Sequence, residues 1–188
     1  MKAFTHYVAG EDDGSWFNSQ EGIDFLGTAE QLGIIASIAM SPRHHNELRK
    51  AIERHPNLNF LFHHMSGLGA HGDDARTNVD NVIETSKFPN AFLKLSGFHY
   101  LTDTTWNFPY MDTRWVYEEC YQAFGTNMVW GSDFPVVKKF MTHLQSLEAF
   151  RTHCEFVSEP DKQAILGGTL ERLLANARSV NKLSLIHI

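Results

Sequence analysis

The sequence predicts an α/β domain in which parallel strands are joined by helices. Short apolar segments of strand character alternate with amphipathic helical segments five times along the 188 residues. Each repeat takes roughly thirty residues, as expected for a strand followed by its crossover helix. Polar residues His64, Ser96 and Asp133 stand where three of these apolar segments end. We therefore expect a parallel sheet with chemically active groups at the ends of its strands.

The strands are predicted from short apolar or alternating runs. In the first run Phe4, His6 and Val8 alternate with polar residues up to Gly10. The next runs are almost wholly apolar, and we expect all strands of the parallel sheet to be buried on both faces. The predicted strands are 2–9, 34–40, 59–65, 91–95 and 128–131.

The helices are predicted from apolar residues that recur every three or four positions. Ile23, Leu26, Ala29 and Leu32 form one such face, and Gly33 is a typical helix end. Further helices are predicted over 46–55, 79–86, 115–124 and 169–177, and in a segment where Phe140, Leu144 and Leu147 share a face. Ser158, followed three residues later by Asp161, resembles a capping box.

Composition excludes several classes of protein. The 22 acidic and 16 basic residues give a formal net charge of −6 and a pI near 6.0, so no basic field exists to attract nucleic acid or an anionic membrane. No apolar run is long enough to span a bilayer, and we expect a soluble, cytoplasmic protein. Cys120 and Cys154 have no metal-binding spacing and are predicted to be packing residues. The 11 histidines favour catalysis or metal binding.

Two sheet architectures fit this order of elements. An open doubly wound sheet normally carries a glycine-rich phosphate turn, and neither GxGxxG nor GxxxxGK[ST] occurs in the sequence. A (β/α)8 barrel needs no such turn and places polar residues at the carboxyl ends of its strands. A complete barrel takes about 250 residues and eight units. The sequence supplies five units, so a barrel built from it is partial.

Asp133 is the first candidate for chemistry. It ends the apolar segment Trp130-Gly131-Ser132-Asp133 and is followed by Phe134 and Pro135. A carboxylate at a strand end can ligate a divalent metal or act as a general base toward water. Aspartate is also among the best helix N-caps, and the residue chemistry alone leaves both interpretations open.

His63 and His64 end the third predicted strand. Strand alternation predicts that they point to opposite faces, so only one faces a barrel interior. A lone buried histidine is more often a hydrogen-bonded core residue than a ligand. His64 gains a functional interpretation if it shares a cavity with Asp133.

Three further residues are candidate substrate-binding groups. The planar guanidinium of Arg43 suits an anionic substrate, and His44 lies next to it in the same loop. The alternative is that at least two of Arg43, His44 and His45 are ordinary solvated loop residues. Lys94 lies within a strand, where it either serves a site or pairs with a structural carboxylate. The loop from Phe98 to Tyr110 is aromatic and can form a lid or pack against helices.

Three segments together resemble the amidohydrolase-related (amidohydrolase 2) superfamily of TIM-barrel hydrolases, in its metal-dependent and lactonase-like branch. They are Phe-Leu-Phe-His-His-Met-Ser-Gly at 60–67, Asn-Ala-Phe-Leu-Lys-Leu-Ser-Gly at 90–97 and Val-Trp-Gly-Ser-Asp-Phe-Pro at 129–135. Residues 165–174 also look like the closing helix of that family. The matches occur in the family's order across nearly the whole chain.

The resemblance implies a partial (β/α)8 TIM barrel made of about strands four to eight. Residues 1–180 are then the carboxyl-terminal part of the barrel domain, and 181–188 are a tail unlike the family. The first strand of the family carries a His-x-His pair, and this sequence has none. We therefore expect an incomplete, inactive fragment of a longer enzyme, with open sheet edges that favour self-association into a homo-oligomer.

The resemblance also implies an activity. The expected enzyme is a hydrolase that opens a lactone or similar ester of a small carboxylic or sugar acid. Asp133 would activate water or bind metal, His64 would hold substrate or metal, and Arg43, His44 and Lys94 would bind substrate. The family allows a divalent metal, Zn or Mn, or a metal-free site. The alternatives are a metal-dependent decarboxylase of the same superfamily and a non-catalytic, self-associating partial barrel. The expected partner is a small-molecule substrate, without nucleic acid or membrane.

Overall fold

Five parallel strands form one sheet in the order in which they follow along the chain. The computed structural model describes residues 1–8 and 10–177. The strands are β1 (Ala3–Tyr7), β2 (Ile35–Ala39), β3 (Phe60–Phe62), β4 (Ala91–Leu95) and β5 (Met128–Trp130). A doubly wound sheet reverses its strand order at a switch point, whereas consecutive parallel order is that of a barrel. The α/β prediction is confirmed, and the proposed tail at 181–188 lies outside the described residues.

Helices follow the strands as the sequence periodicity predicts. They are α1 (Gln20–Leu32), α2 (His45–Arg54), α3 (Ala75–Ile83), α4 (Arg114–Phe124), α5 (His143–Arg151), α6 (Glu159–Gln163) and α7 (Thr169–Asn176). Gly33 ends α1 in the left-handed conformation, with φ of 64°. Ser158 caps α6 by accepting the Asp161 amide at 3.3 Å, but the Asp161 carboxylate accepts from Tyr121 instead of completing a capping box.

Helices α1 to α4 cover one face of the sheet. Leu26, Leu48, Val79 and Val116 come from these four helices, are fully buried and belong to one apolar cluster with strand residues such as Phe60. Burying each such side chain contributes about 1.5–3 kcal/mol relative to exposure. Cys120 and Cys154 are free thiols buried in the same cluster, which confirms their packing role.

The opposite face of the sheet, here called the inner face, is covered at one end by α7. Ile35, Phe92 and Val129 form a second buried cluster on this face with Leu173 of α7. The Lys2 ammonium donates to the Leu174 carbonyl at 2.9 Å and so ties α7 to the start of β1. Helix α7 therefore closes the amino-terminal end of the inner face.

The sheet has two edges that no described strand covers. Strands β2 to β4 are largely buried, but every second residue of β1 is exposed, and Tyr7 is 72% exposed. The expectation that all strands are buried on both faces is therefore wrong for β1. Exposed large apolar residues cluster beside both edges: Met1, Tyr7 and Phe25 near β1, and Phe134, Val136, Phe140 and Leu144 after β5.

Several element boundaries differ from the sequence-based prediction, such as the start of α3 at Ala75 instead of 79, and two of the differences have a clear local cause. Strand β3 has three residues because the backbone leaves the extended conformation after His63. Phe140 lies before α5, which begins at His143 after an N-cap by Thr142. Within the described part of the chain, no helix combines the length and apolar character that crossing a bilayer requires.

Gly22 and Gly27 offer a matched test of helix packing in α1. A Cβ at Gly22 would lie 1.9 Å from the Trp16 carbonyl oxygen, whereas a Cβ at Gly27 would meet nothing closer than 3.7 Å. Gly22→Ala should lower the free energy of unfolding by about 2 kcal/mol through overpacking. Gly27→Ala should leave it unchanged or raise it by up to about 1 kcal/mol. Urea unfolding followed by circular dichroism measures both, and equal effects would refute the packing described here.

Candidate active site

A left-handed turn follows β3 and sets the position of the candidate site. His64, Met65 and Ser66 have φ values of 46°, 52° and 59°. Each such residue costs about 1–2 kcal/mol in an L-amino acid chain, and strain of this kind clusters at functional sites. The turn breaks strand alternation, so the rings of His63 and His64 lie 5.5 Å apart. The expectation that the two histidines face opposite sides is therefore wrong.

Asp133 and His64 face each other across the ends of β5 and β3. The Asp133 Oδ1 lies 3.7 Å from the His64 Nε2, and the two side chains are 15% and 28% exposed. His64 Nδ1 is hydrogen-bonded with the Ser96 hydroxyl at 3.0 Å. Asp133 also has a left-handed backbone, with φ of 59°. The structure thus brings together the two residues that the sequence singles out for catalysis.

The Asp133 carboxylate does not cap the helical turn that follows it. Its Oδ2 accepts a hydrogen bond from the Tyr100 hydroxyl at 2.8 Å. The turn over Val136–Lys139 has no side-chain cap, and the Val137 amide donates to the Asp133 main-chain carbonyl. The carboxylate is therefore available to the inner face.

Lys94 supplies a positive charge next to this pair. It pairs in register with Val129 of the inner face, and a Cβ at Gly131 would lie 2.8 Å from its Cε. Glycine at 131 thus makes room for the lysine side chain. Within the described residues the Lys94 ammonium has no hydrogen bond or ion pair. It remains free to bind an anionic or carbonyl oxygen.

Burial controls the protonation of the groups around Asp133. Burial lowers the pKa of His64 and of Lys94, while the Asp133 charge acts in the opposite direction on both. Burial, with Lys94 and His64, lowers the pKa of His63 to about 4, and His63 is also hydrogen-bonded with Ser37 at 2.5 Å. Burial and the bond to Asp133 raise the pKa of Tyr100 to about 12. At neutral pH, His63 is neutral and Tyr100 is a hydrogen-bond donor.

Gly97 allows Tyr100 to reach Asp133. Gly97 has φ of 70°, and a Cβ there would lie 2.2 Å from the Tyr100 ring. The ring therefore folds back over the Gly97 backbone. Sequence reasoning placed Tyr100 only in an aromatic loop, and the useful signal was Gly97, two residues after the end of β4.

His99 is a second neighbour that sequence reasoning did not assign to the site. It is 2% exposed, and neither of its ring nitrogens has a hydrogen-bond partner among the described residues. Its ring stacks on Phe140 at 4.0 Å and lies 4.0 Å from the Tyr100 ring. Burial lowers its pKa, so it acts as a flat, neutral ring behind Tyr100.

Arg43 and His44 hold a neighbouring loop. The Arg43 guanidinium donates to the carbonyls of Gly10 and Asp12, and His44 Nε2 is hydrogen-bonded with the same Asp12 carbonyl at 2.8 Å. His44 Nδ1 bonds to Ser41. The structure does not bring these two side chains into the group around Asp133, and their substrate-binding role stays a prediction.

The expectation that at least two of residues 43–45 are solvated is wrong. His44 is 1% exposed, and His45 is fully buried and hydrogen-bonded with the Thr85 hydroxyl at 2.8 Å. The reason is that α2 begins at His45 and packs its first turn against the cluster under β3, where His45 contacts Phe62 edge-on.

The described residues do not fit a complete catalytic metal site. Among them, no group of three His, Cys, Asp or Glu side chains is placed to hold a metal ion. Asp133 and His64 provide two donors, whereas a catalytic zinc site takes three protein ligands.

Comparison of the sequence with family profiles identifies the family of this chain. The amidohydrolase family profile matches residues 3–175, which is most of the sequence. The chain belongs to the amidohydrolase family. No curated protein sequence matches it.

Solved structures share the fold at low sequence identity. An amidohydrolase from Burkholderia multivorans with bound zinc superposes with a TM-score of 0.83 at 18% identity, covering 93% of this chain and 64% of that protein. A protein from Acinetobacter baumannii, described as a probable 2-pyrone-4,6-dicarboxylic acid hydrolase with citric acid bound, gives a TM-score of 0.75 at 17% identity, covering 93% and 64%. The 2,6-dihydroxybenzoate decarboxylase from Rhizobium gives 0.54 at 14% identity, covering 85% and 56%.

The amidohydrolase chain therefore spans 64% of the length of the first two of these proteins. Its five consecutive strands form a partial barrel, as the sequence predicts. Likeness at this level of identity shows the fold, and it leaves the reaction to be argued from the residues.

His45 generates a prediction about acid stability. Burial lowers its pKa from 6.5 to about 3 in the folded protein, so the unfolded chain binds the proton more readily. Its contribution to stability is present above pH 6.5 and is lost as the pH falls. Between pH 7 and pH 5.5 the free energy of unfolding should drop by about 1 kcal/mol from this group.

His45→Gln should reduce the pH-dependent loss by about 1 kcal/mol and leave the part that comes from other histidines whose pKa burial lowers, such as His63, whereas His143→Gln, at an exposed position, should keep all of it. Urea unfolding of both variants at the two pH values checks the assignment. An unchanged pH dependence in His45→Gln would contradict it.

Proposed function

We propose that this chain carries the acid–base centre of a hydrolase that opens a lactone or similar ester of a small carboxylic or sugar acid. One observation supports this above the others: the Asp133 carboxylate lies 3.7 Å from His64 with an unpaired Lys94 ammonium in the same group. A general base, a polar neighbour and a free cation are the parts that ester hydrolysis by water requires.

In the proposed reaction Asp133 accepts a proton from a water molecule as the water oxygen attacks the carbonyl carbon of the ester. The ring carbon–oxygen bond then breaks, and the departing alkoxide takes a proton from the Asp133 carboxylic acid. The products are a carboxylic acid and an alcohol, which together contain the atoms of ester and water. Asp133 thus acts first as base and then as acid.

The neighbouring residues orient this reaction. Lys94 binds a carboxylate or carbonyl oxygen of the substrate, because its ammonium has no competing partner among the described residues. Tyr100 donates to Asp133 and keeps one carboxylate oxygen fixed, which leaves Oδ1 for the water. His64, itself held by Ser96, positions the substrate beside that oxygen.

Two comparisons are in keeping with this activity. The Acinetobacter baumannii neighbour is described as a hydrolase of a pyrone dicarboxylic acid, which is a lactone that carries carboxylates. The Burkholderia multivorans neighbour holds zinc, and in this chain Asp133 and His64 would supply two of the three protein ligands that such a metal takes. The decarboxylase from Rhizobium supports the alternative, carbon–carbon cleavage at the same pair of residues.

In a longer, active protein that contains this chain, Asp133→Asn should lower turnover of a lactone substrate by roughly a hundredfold or more, because it removes a general base at nearly constant volume. Asp103→Asn, at an exposed position of the loop after β4, is the matched control and should keep full activity. The assay follows acid release from the lactone, and carbon dioxide release measured in parallel tests the alternative. Near-normal hydrolysis by Asp133→Asn would overturn the proposal.

The second candidate function is a partial barrel that self-associates and has no activity alone. The exposed apolar residues at both sheet edges favour it, because open edges bind other chains. We expect the 188-residue chain to sediment as an oligomer and to show no turnover, and a longer protein that contains it to be active.

Leu144→Glu, which places a charge on the edge beside β5, should shift the chain toward monomer in sedimentation velocity. Gln145→Glu adds the same charge next to it and should shift it less, because it replaces a polar side chain and leaves the exposed apolar Leu144 in place. A monomeric, fully active wild-type chain would refute this candidate.

A further inference from the structure

A cleft opens beside the candidate site, on the segment that follows β5. It has a volume of about 530 Å³ and is lined by residues that include Phe134, Lys138, Lys139, Phe140, Met141 and His143. Pockets of about 300–1,000 Å³ with apolar walls and a few polar groups are typical of small-molecule sites. Neither the proposed hydrolysis nor the comparisons assign a role to this cleft.

The walls of the cleft combine aromatic rings with unpaired positive charge. Phe134 and Phe140 are both exposed, and the Lys138 ammonium lies 5.9 Å from the Phe134 ring. Among the described residues neither Lys138 nor Lys139 has an acidic partner. Two free lysines side by side in a protein of net charge −6 select an anion.

The cleft connects directly with Asp133. Phe134 follows Asp133 in the sequence, and the Val137 amide holds the Asp133 main-chain carbonyl. On the other wall, Phe140 stacks on His99, which contacts the ring of Tyr100, the residue that is bonded to Asp133. A ligand in the cleft therefore lies one layer of side chains from the carboxylate.

We propose that this cleft binds an aromatic carboxylate, with its ring between Phe134 and Phe140 and its anionic group at Lys138 and Lys139. Phe134 and Phe140 also belong to the open edge beside β5, so self-association is the competing use of this surface; the two lysines favour the anion, because lysine is depleted in the buried centre of protein interfaces. In the hydrolase the bound group is the part of the substrate, or of its product, remote from the ester. This role rests on the proposed function, whereas binding itself does not require turnover.

The test measures binding alone, by isothermal titration calorimetry of the 188-residue chain with 2-naphthoate. The neutral analogue 2-naphthamide should bind weakly, because it lacks the charge that the lysines recognise. The double variant Lys138→Gln/Lys139→Gln should weaken 2-naphthoate binding by roughly tenfold. The control Lys50→Gln/Lys87→Gln removes the same charge from two exposed lysines that pair with Glu47 and Glu84, and should bind as the wild type does.

Three outcomes would overturn the inference. They are no measurable binding of 2-naphthoate, equal weakening in the two double variants, and equal binding of the amide and the acid. If 2-naphthoate does not bind and Phe134→Ser abolishes self-association in sedimentation, the cleft is a protein interface instead. Asp133→Asn should bind 2-naphthoate as the wild type does. If Asp133→Asn lowers turnover in the longer protein but 2-naphthoate does not bind, this inference fails and the proposed function stands. If 2-naphthoate binds but Asp133→Asn leaves turnover unchanged, the proposed function fails and the binding site stands.

Discussion

The parallel pairing of β3, β4 and β5 is the constraint on which the candidate site depends. Phe62 pairs with Leu93, and Lys94 pairs with Val129, so the carboxyl ends of the three strands lie at one edge of the sheet. Parallel strands deliver their ends to the same side, whereas antiparallel strands would separate them. Asp133 and His64 meet only because of this arrangement.

The local backbone conformation then sets the direction in which the side chains at these strand ends point. The left-handed residues at His64 and Asp133 turn both side chains toward each other, at a conformational cost that the surrounding packing must offset. Glycine at 97 and at 131 leaves space for Tyr100 and Lys94. The site thus consists of the Asp133 carboxylate and the side chains of His64, Tyr100 and Lys94 around it, which come from separate segments of the chain.

Periodicity was sufficient to predict most of the fold. The apolar steps of α1, its end at Gly33 and the buried strand β4 follow directly from spacing, because burial imposes a period of 3.6 on helices and of 2 on strands. Asp133 and His64 could be selected because a barrel places its functional polar residues at the carboxyl ends of its strands. The left-handed turn after β3 could not be predicted, since strand alternation gives the wrong direction for His64.

Contacts between segments that are far apart in the chain also could not be predicted from the sequence. Arg43 and His44 bond to a loop about thirty residues earlier, and only the folded chain shows that these polar groups are already occupied. His99 is buried although the loop that contains it is aromatic and polar, because the segment after β5 covers it.

The central claim is that Asp133 and His64 form one group on the inner face of the sheet. A crystal structure of the chain measures this directly. The account predicts a carboxylate-to-imidazole distance close to 3.7 Å, with both residues in the left-handed conformation. A carboxylate that points to bulk solvent, with the imidazole packed on the helical side of the sheet, would contradict it.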